Sequence, residues 1–185
     1  MKFLLALAAI FCTTFANASY HYKDEPTTLK KGSSRYHIGQ LAVALENNRK
    51  LWTTDATVAS YPDQAAIQEM IMGDLRKQLE AGGIYVGTAT ESEASIDVQV
   101  SYRRSFAVGK GVTYPLVSFT LSAKDGQGQE LASYQSAEGL LQSGGRKSMV
   151  EDQKIMFGKY DQEEEREDIA AVANLIYEAI ANIGQ

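Results

Sequence analysis

The chain has 185 residues, a formal net charge of −5 at pH 7 and one cysteine. The acidic balance argues against non-specific binding to nucleic acid or to anionic lipid headgroups, because both require a basic surface. One cysteine cannot form an intramolecular disulfide. After the N-terminal segment, no run is long and apolar enough to predict a transmembrane helix.

The N-terminus has the layout of a secretory signal peptide. Met1 and Lys2 give a short positive start, residues 3–11 form an unbroken apolar run, and residues 16–18 form an A-x-A cleavage site. The apolar run is too short to cross a bilayer. We therefore expect cleavage after Ala18, a periplasmic location and, with Lys2 removed, a net charge of −6 instead of −5.

Cys12 is the position that a lipid anchor would use. A lipoprotein signal needs small residues before the modified cysteine, but the bulky Phe11 precedes Cys12. We therefore expect an unlipidated protein. Removal of the signal peptide then leaves no thiol for a disulfide, a metal site or nucleophilic catalysis.

The first half of the mature chain predicts a leader, a strand and a helix. Residues 19–35 are polar and irregular, which predicts a flexible leader, and the alternation over residues 36–45 predicts a strand. Ser60 and Asp63 form a capping box that begins the helix, and the glycines at 82–83 end it. The apolar stripe of this helix consists of Ile67, Met70, Ile71, Leu75 and Leu79.

Residues 94–141 have the alternation of an antiparallel meander. The apolar face carries Ile96, Val98, Val100, Tyr102, Phe106 and Val108, and the polar face carries Asp97, Gln99, Ser101 and Arg103. Turns are predicted at residues 109–111 and 125–128, so that further strands run over residues 117–123 and 130–141.

The remaining residues complete the predicted fold. Residues 142–160 predict either a loop or a short extra helix, and the last helix begins at the acidic run 163–165. Its apolar stripe comprises Ile169, Val172, Ala173, Ile176, Ile180 and Ile183. Together the elements predict a single α+β domain over residues 36–185, in which a mostly antiparallel sheet of about four strands carries two helices packed on one face.

Three short stretches give the chain a resemblance to known proteins. Asn48 and Arg49 follow the first strand, residues 79–84 are L-E-A-G-G-I, and residues 94–100 are A-S-I-D-V-Q-V. Together with the signal peptide and the β-α-β-β-β-α order, they make residues 36–185 resemble small uncharacterised periplasmic proteins and outer-membrane lipoproteins of Gram-negative bacteria. The resemblance implies a non-enzymatic envelope role and supplies no catalytic residues. The chain departs from the lipoprotein members because it lacks a proper lipobox.

The residue patterns argue against catalysis. The sequence has no G-x-S-x-G elbow, and the two histidines, His21 and His37, lie in or beside the leader. Capping and solvation account for the clustered carboxylates, which are Glu91, Glu93, the run 161–165, Glu167 and Asp168. We therefore expect a protein that is not an enzyme and has no resident cofactor.

Arg103 and Arg104 are the candidate contacts to a ligand or partner. Strand alternation places Arg104 on the same face as Tyr102 and Phe106, where a buried arginine would need a partner. Two interpretations stay open. Either the strand end projects past the helices and Arg104 reaches water along its own stem, or the arginine contacts an anionic ligand or a partner protein.

Cleavage after Ala18 would make His21 the third residue of the mature chain. The amine of Ser19, the amides of Tyr20 and His21 and the imidazole can then form the square-planar nitrogen set that Cu(II) or Ni(II) prefers. Metal capture by these three residues is a minor hypothesis.

The sequence favours a non-enzymatic periplasmic binding or adaptor protein. Its partner would be an envelope protein or another outer-membrane component, contacted through an open sheet face or an uncovered edge strand. The alternative, from a different class, is a carrier that holds a lipid or other small ligand between helices and sheet.

Overall fold

The computed structural model describes residues 19–23, 27–51, 53–106, 112–140 and 162–184. Several sequence predictions lie outside these described residues. They are the signal peptide with Cys12 and its cleavage site, Val108, the turn at 109–111 and the segment 142–160.

One sheet forms the centre of the fold. Its strands are β1 (Ser19–Tyr22), β2 (Tyr36–Asn48), β3 (Ala94–Ser105), β4 (Leu116–Lys124), β5 (Glu130–Gln135) and β6 (Gly139–Leu140). The strand order is β1-β5-β4-β3-β2, with the short β6 also paired to β4. Only the β2–β3 pair is parallel among these described strands. The α+β class and the mostly antiparallel sheet are therefore confirmed.

The helices supply the other half of the core. They are α1 (Asp55–Ala59), α2 (Gln64–Ala81) and α3 (Gln162–Ala181), and a 3₁₀ turn covers Ala89–Glu91. The stripes of α2 and α3 pack with the apolar face of the sheet into one cluster. Its helical members include Ile67, Ile71, Leu75, Leu79, Ile169, Val172, Ala173, Ile176 and Ile180. None of the described helices is long and apolar enough to cross a membrane.

The parallel pairing of β2 with β3 follows from the helix between them. A helix that packs on the sheet returns the chain to the end where the previous strand began, so the next strand runs in the same direction. The predicted meander is correct for β3, β4 and β5, which are joined antiparallel.

The capping box predicted at the beginning of α2 is wrong in one of its two residues. Asp63 is the N-cap, and its carboxylate accepts a hydrogen bond from the backbone N–H of Ala66 at 2.8 Å. Ser60 instead ends the short helix α1, where its own N–H donates to Thr57. The predicted end is confirmed, because Gly82 is the C-cap and Gly83 takes a left-handed φ of 70°.

The flexible leader predicted over residues 19–35 is instead packed against the domain where the structure describes it. Ser19–Tyr22 form β1 along the edge of β5, and the Tyr20 hydroxyl donates to the Ala179 carbonyl of α3 at 2.9 Å. Leu29 is 1% exposed and belongs to the core. The physical reason is the alternation of Tyr20 and Tyr22, which places both rings on the helix side of β1.

The single strand predicted over residues 130–141 is divided into β5 and β6. Ser136 lies between them and contacts Phe119 twice. Its N–H donates to the Phe119 carbonyl at 2.9 Å, and its hydroxyl accepts from the Phe119 N–H at 2.8 Å. A side-chain oxygen therefore replaces a backbone carbonyl at this point and interrupts the ladder.

The outer edge of β2 is covered by a backbone segment and by two glutamine side chains. Residues 84–86 pair with the start of the strand. Farther along, the amide oxygens of Gln68 and Gln64 accept the N–H groups of Val43 and Leu45 at 3.4 and 3.3 Å. The spacings match, because four helical residues rise about 6 Å and two strand residues about 7 Å.

Gly73 offers a direct test of the helix assignment. It lies in α2, and nothing stands within 4 Å of where a Cβ would be. We expect Gly73→Ala to raise the free energy of unfolding by about 0.5–1 kcal/mol, because alanine loses less backbone entropy on folding. Urea denaturation measures this gain. A loss of stability would contradict the exposed helical position.

Candidate functional site

The sheet face opposite the helices, which we call the open face, is polar. It carries Asp97, Gln99, Ser101 and Arg103 from β3, Ser118, Thr120, Ser122 and Lys124 from β4, Ser133 and Gln135 from β5, and His21 from β1. The register aligns these residues in rows across the strands, such as Gln99 beside Thr120 and Thr120 beside Gln135. These three central side chains are exposed. The sequence predicted the contribution of β3 to this face.

Charged residues lie at the two ends of the open face and are paired. At one end, Lys124 donates to Asp97 at 2.7 Å, and this hydrogen bond raises the pKa of Lys124. At the other end, Arg103 contacts Glu46 at 2.9 Å and Glu138 at 3.4 Å. The centre of the face therefore presents neutral hydroxyl and amide groups to solvent.

A shallow hollow of about 360 Å³ lies on the open face over β3, β4, β5 and β1. Its lining includes His21, Gln40, Asp97, Gln99, Thr120, Ser122, Lys124, Glu130, Ser133 and Gln135. Such groups both donate and accept hydrogen bonds, which suits recognition of a polar surface. Among the described residues, no group of three or more His, Cys, Asp or Glu side chains could hold a metal ion.

Arg104 points to the opposite side and is buried at 1% exposure. Its Nε donates to Glu165 at 2.6 Å, its Nη1 to Asn47 at 3.1 Å and its Nη2 to the Pro62 carbonyl at 2.8 Å. The guanidinium carbon also lies 5.5 Å from the centre of the Tyr61 ring. The interpretation in which Arg104 reaches water is therefore wrong. In this geometry the arginine joins α3, β2 and the loop before α2, and a ligand in solution cannot reach it.

Glu165 is the partner that the sequence analysis assigned to a solvated helix start. It is 1% exposed, and its Oε1 also accepts from the Tyr102 hydroxyl at 3.3 Å. Burial raises the pKa of Glu165, although the charge of Arg104 and its hydrogen bond oppose this. Burial also raises the pKa of Tyr102 well above its ordinary value. A signal existed in the sequence, since Glu165 lies four residues before Ile169 on the apolar stripe.

The three residues of the proposed copper or nickel site lie in β1. Successive amides of an extended strand point to opposite edges, whereas the square-planar set needs the amides of Tyr20 and His21 on one ion. Ser19 to Tyr22 are paired with β5. Metal capture therefore stays a prediction, and it requires these residues to leave the sheet.

Comparison with known proteins adds distant structural likenesses. The chain is similar to a minor lipoprotein from Acinetobacter baumannii, with 16% identity and a TM-score of 0.36, over 77% of this chain and 90% of that one. It is similar to the PelC dodecamer from Paraburkholderia phytofirmans, with 12% identity and a TM-score of 0.36, over 89% and 96% of the two chains. It is also similar to an uncharacterised protein, with 15% identity and a TM-score of 0.36, over 79% of this chain and 92% of that one. No family model and no curated protein matches the chain. Function is therefore inferred from the chain's own residues.

Proposed function

We propose that the chain is a non-enzymatic binding or adaptor protein of a bacterial cell envelope that contacts another envelope protein through its open face. The observation that carries the proposal is the open face itself, a neutral polar surface across four strands opposite a filled core. The predicted signal peptide supplies the periplasmic location.

The chemistry of the open face suits a protein surface. Non-obligate interfaces are about as polar as the rest of a protein surface and rely on hydrogen bonds and bridging water. Gln99, Thr120 and Gln135 provide such donors and acceptors side by side. The ion pairs at the ends, Lys124–Asp97 and Arg103–Glu46, would form a charged rim that orients the partner.

The carrier alternative has weaker support. It needs a space between helices and sheet, but Ile71, Leu75, Ile176 and Ile180 are all 0% exposed at that interface. The two hollows over β3 and β4 lie on the open face and are shallow, not between the sheet and the helices. A lipid would have to displace packed core side chains at a large free-energy cost.

A charge placed at the centre of the open face tests the proposal. We expect Thr120→Arg to lower recovery of the partner at least about tenfold, because an unpaired charge at an interface centre must be desolvated. Recovery is measured by native mass spectrometry of protein purified gently from its own envelope fraction. The matched control is Ala171→Arg on the exposed surface of α3, which should keep the partner.

Two outcomes of this experiment contradict the proposal, and a third contradicts only the expected processing of the N-terminus. A dissociable lipid or small molecule in place of a protein partner would favour the carrier. An acyl-sized increment on a chain that starts at Cys12 would identify a lipoprotein instead of the expected form that starts at Ser19. Equal losses in both arginine variants would show that the open face is not the contact.

A further inference from the structure

The outer edge of β1 presents backbone groups that the described part of the sheet does not use. In the described strand order β1 is an end strand, and it is paired on one side with β5. The Lys23 N–H donates to the Leu131 carbonyl at 3.1 Å, so the alternation of an antiparallel ladder directs the backbone groups of His21 toward β5 as well. The N–H and carbonyl groups of Tyr20 and Tyr22 therefore point away from β5, toward the outer edge.

A row of aromatic rings on the helix side of the sheet ends at this edge. The ring centroids of Phe119 on β4 and Tyr134 on β5 lie 5.5 Å apart, and those of Tyr134 and Tyr20 lie 4.8 Å apart. Tyr20 and Tyr22 are stacked on each other with a centroid distance of 6.3 Å, and both are only partly buried. The row therefore runs across β4 and β5 and stops at two tyrosines that retain exposed surface.

We propose that a second copy of the chain pairs with this edge, antiparallel and about a two-fold axis at His21. In this register Tyr20 of each copy lies opposite Tyr22 of the other, and each pair exchanges both of its N–H···O=C bonds. Registers centred on Tyr20 or on Tyr22 give fewer such pairs within β1. The same register places the tyrosines of the two copies side by side, which continues the aromatic row. The edge is thus self-complementary, as a two-fold contact requires, and the pairing is independent of the open-face contact.

His21 marks this register. Its side chain is exposed on the open face, beside Ser133. At the axis it forms a non-hydrogen-bonded pair with His21 of the second copy, in which the two Cα atoms lie about 4.5 Å apart. Two imidazoles at this separation can share one Zn(II) ion, with Zn–N bonds of about 2.0–2.1 Å and water in the remaining positions. This contact leaves β1 in the sheet, unlike the square-planar copper or nickel set.

Sedimentation equilibrium of the processed protein tests this inference. We expect a monomer–dimer equilibrium in metal-free buffer and a dimer dissociation constant about tenfold lower with Zn(II), because an ion shared by two histidines stabilises only the paired state. The dimer should bind one zinc ion for each pair of chains. Amide hydrogen exchange at Tyr20 and Tyr22 should slow as the protein concentration rises, since these N–H groups become hydrogen-bonded.

Two pairs of variants make the result specific to the edge. His21→Ala should keep the metal-free dimer and lose the zinc effect, whereas His37→Ala, at the chain's other histidine, should keep both. His21→Lys places like charges opposite each other and should weaken the metal-free dimer, while Ser101→Lys on the exposed surface of β3 should not.

Four results would overturn the proposal. The first is a chain that stays monomeric at every concentration, with or without zinc. The second is a dimer that zinc does not tighten, and the third is a zinc effect that survives His21→Ala, since either shows that the two histidines are not opposite each other. The fourth is one zinc ion bound to each monomer, which would place the metal on a single N-terminus.

Discussion

Arg104→Met is expected to lower the free energy of unfolding by about 3–5 kcal/mol at neutral pH, because it leaves a buried carboxylate without its countercharge. Glu165 is 1% exposed and accepts the Arg104 Nε hydrogen bond at 2.6 Å. Its other oxygen has no hydrogen-bond partner among the described residues. Methionine fills similar volume but leaves this carboxylate charged. Urea denaturation followed by circular dichroism measures the loss.

Two controls separate lost pairing from lost packing. The double variant Arg104→Met/Glu165→Leu should recover most of the stability, because it removes both charges and keeps the volume. Arg103→Met, at the neighbouring position on the open face, should change stability far less than Arg104→Met does, since its ion pairs are exposed. Equal losses in Arg103→Met and Arg104→Met would show that the buried pair is not what stabilises this end of the domain.

The pH dependence of Arg104→Met has a defined sign. Burial raises the pKa of Glu165, so the folded protein holds this proton more tightly than the unfolded chain does. The contribution of this carboxyl to stability therefore decreases as pH rises from its unfolded pKa through its raised folded pKa. Arg104→Met removes the charge and the hydrogen bond that lower the pKa of Glu165. The pH range over which this carboxyl loses its contribution to stability therefore extends to higher pH. The stability that Arg104→Met loses relative to the original protein should be smaller in mildly acidic than in mildly alkaline buffer.

Gly184→Ala should lower the free energy of unfolding by about 2 kcal/mol or more, since it combines backbone strain with overlap. Gly184 has a φ of 102°, and an added Cβ would stand 2.5 Å from the Leu29 carbonyl oxygen and 2.8 Å from the Lys31 nitrogen. Its N–H also donates to the Tyr22 hydroxyl at 3.0 Å. Gly184 is therefore the point at which the backbone after α3 packs closely against residues 29–31.

Thermal unfolding and limited proteolysis read out this substitution. Residues 27–35 should become more sensitive to protease in Gly184→Ala, because they can no longer pack closely against the backbone at residue 184. The matched control is Gly126→Ala, where φ is not left-handed and nothing stands within 4 Å of the added Cβ. If the two variants unfold alike, the close approach of Gly184 to Leu29 is not part of the native packing.

Periodic patterns in the sequence account for most of the architecture. The stripes of α2 and α3 and the alternation of β3 predicted which residues pack together, because burial of one face imposes periods of 3.6 and 2. The polar half of the β3 alternation likewise predicted part of the open face. Asp97 and Gln99 lie there as expected.

Features that depend on contacts distant in sequence were not predicted. A four-residue strand such as β1 has too few residues for a periodic signal, and the Tyr20 hydroxyl donates to a carbonyl 159 residues away. The pair of Arg104 with Glu165 spans 61 residues, so strand alternation could place the arginine on the core side but could not name its partner.

The covered edge of β2 limits how copies of this sheet can associate. Gln64 and Gln68 occupy N–H groups that an incoming strand would need, so in the described strand order β1-β5-β4-β3-β2 the end strand left for pairing is β1. A sheet with two usable edges can stack head to tail without end, as in a fibril. A sheet with one usable edge can pair only with the same edge of a second copy, which forms a closed two-fold dimer.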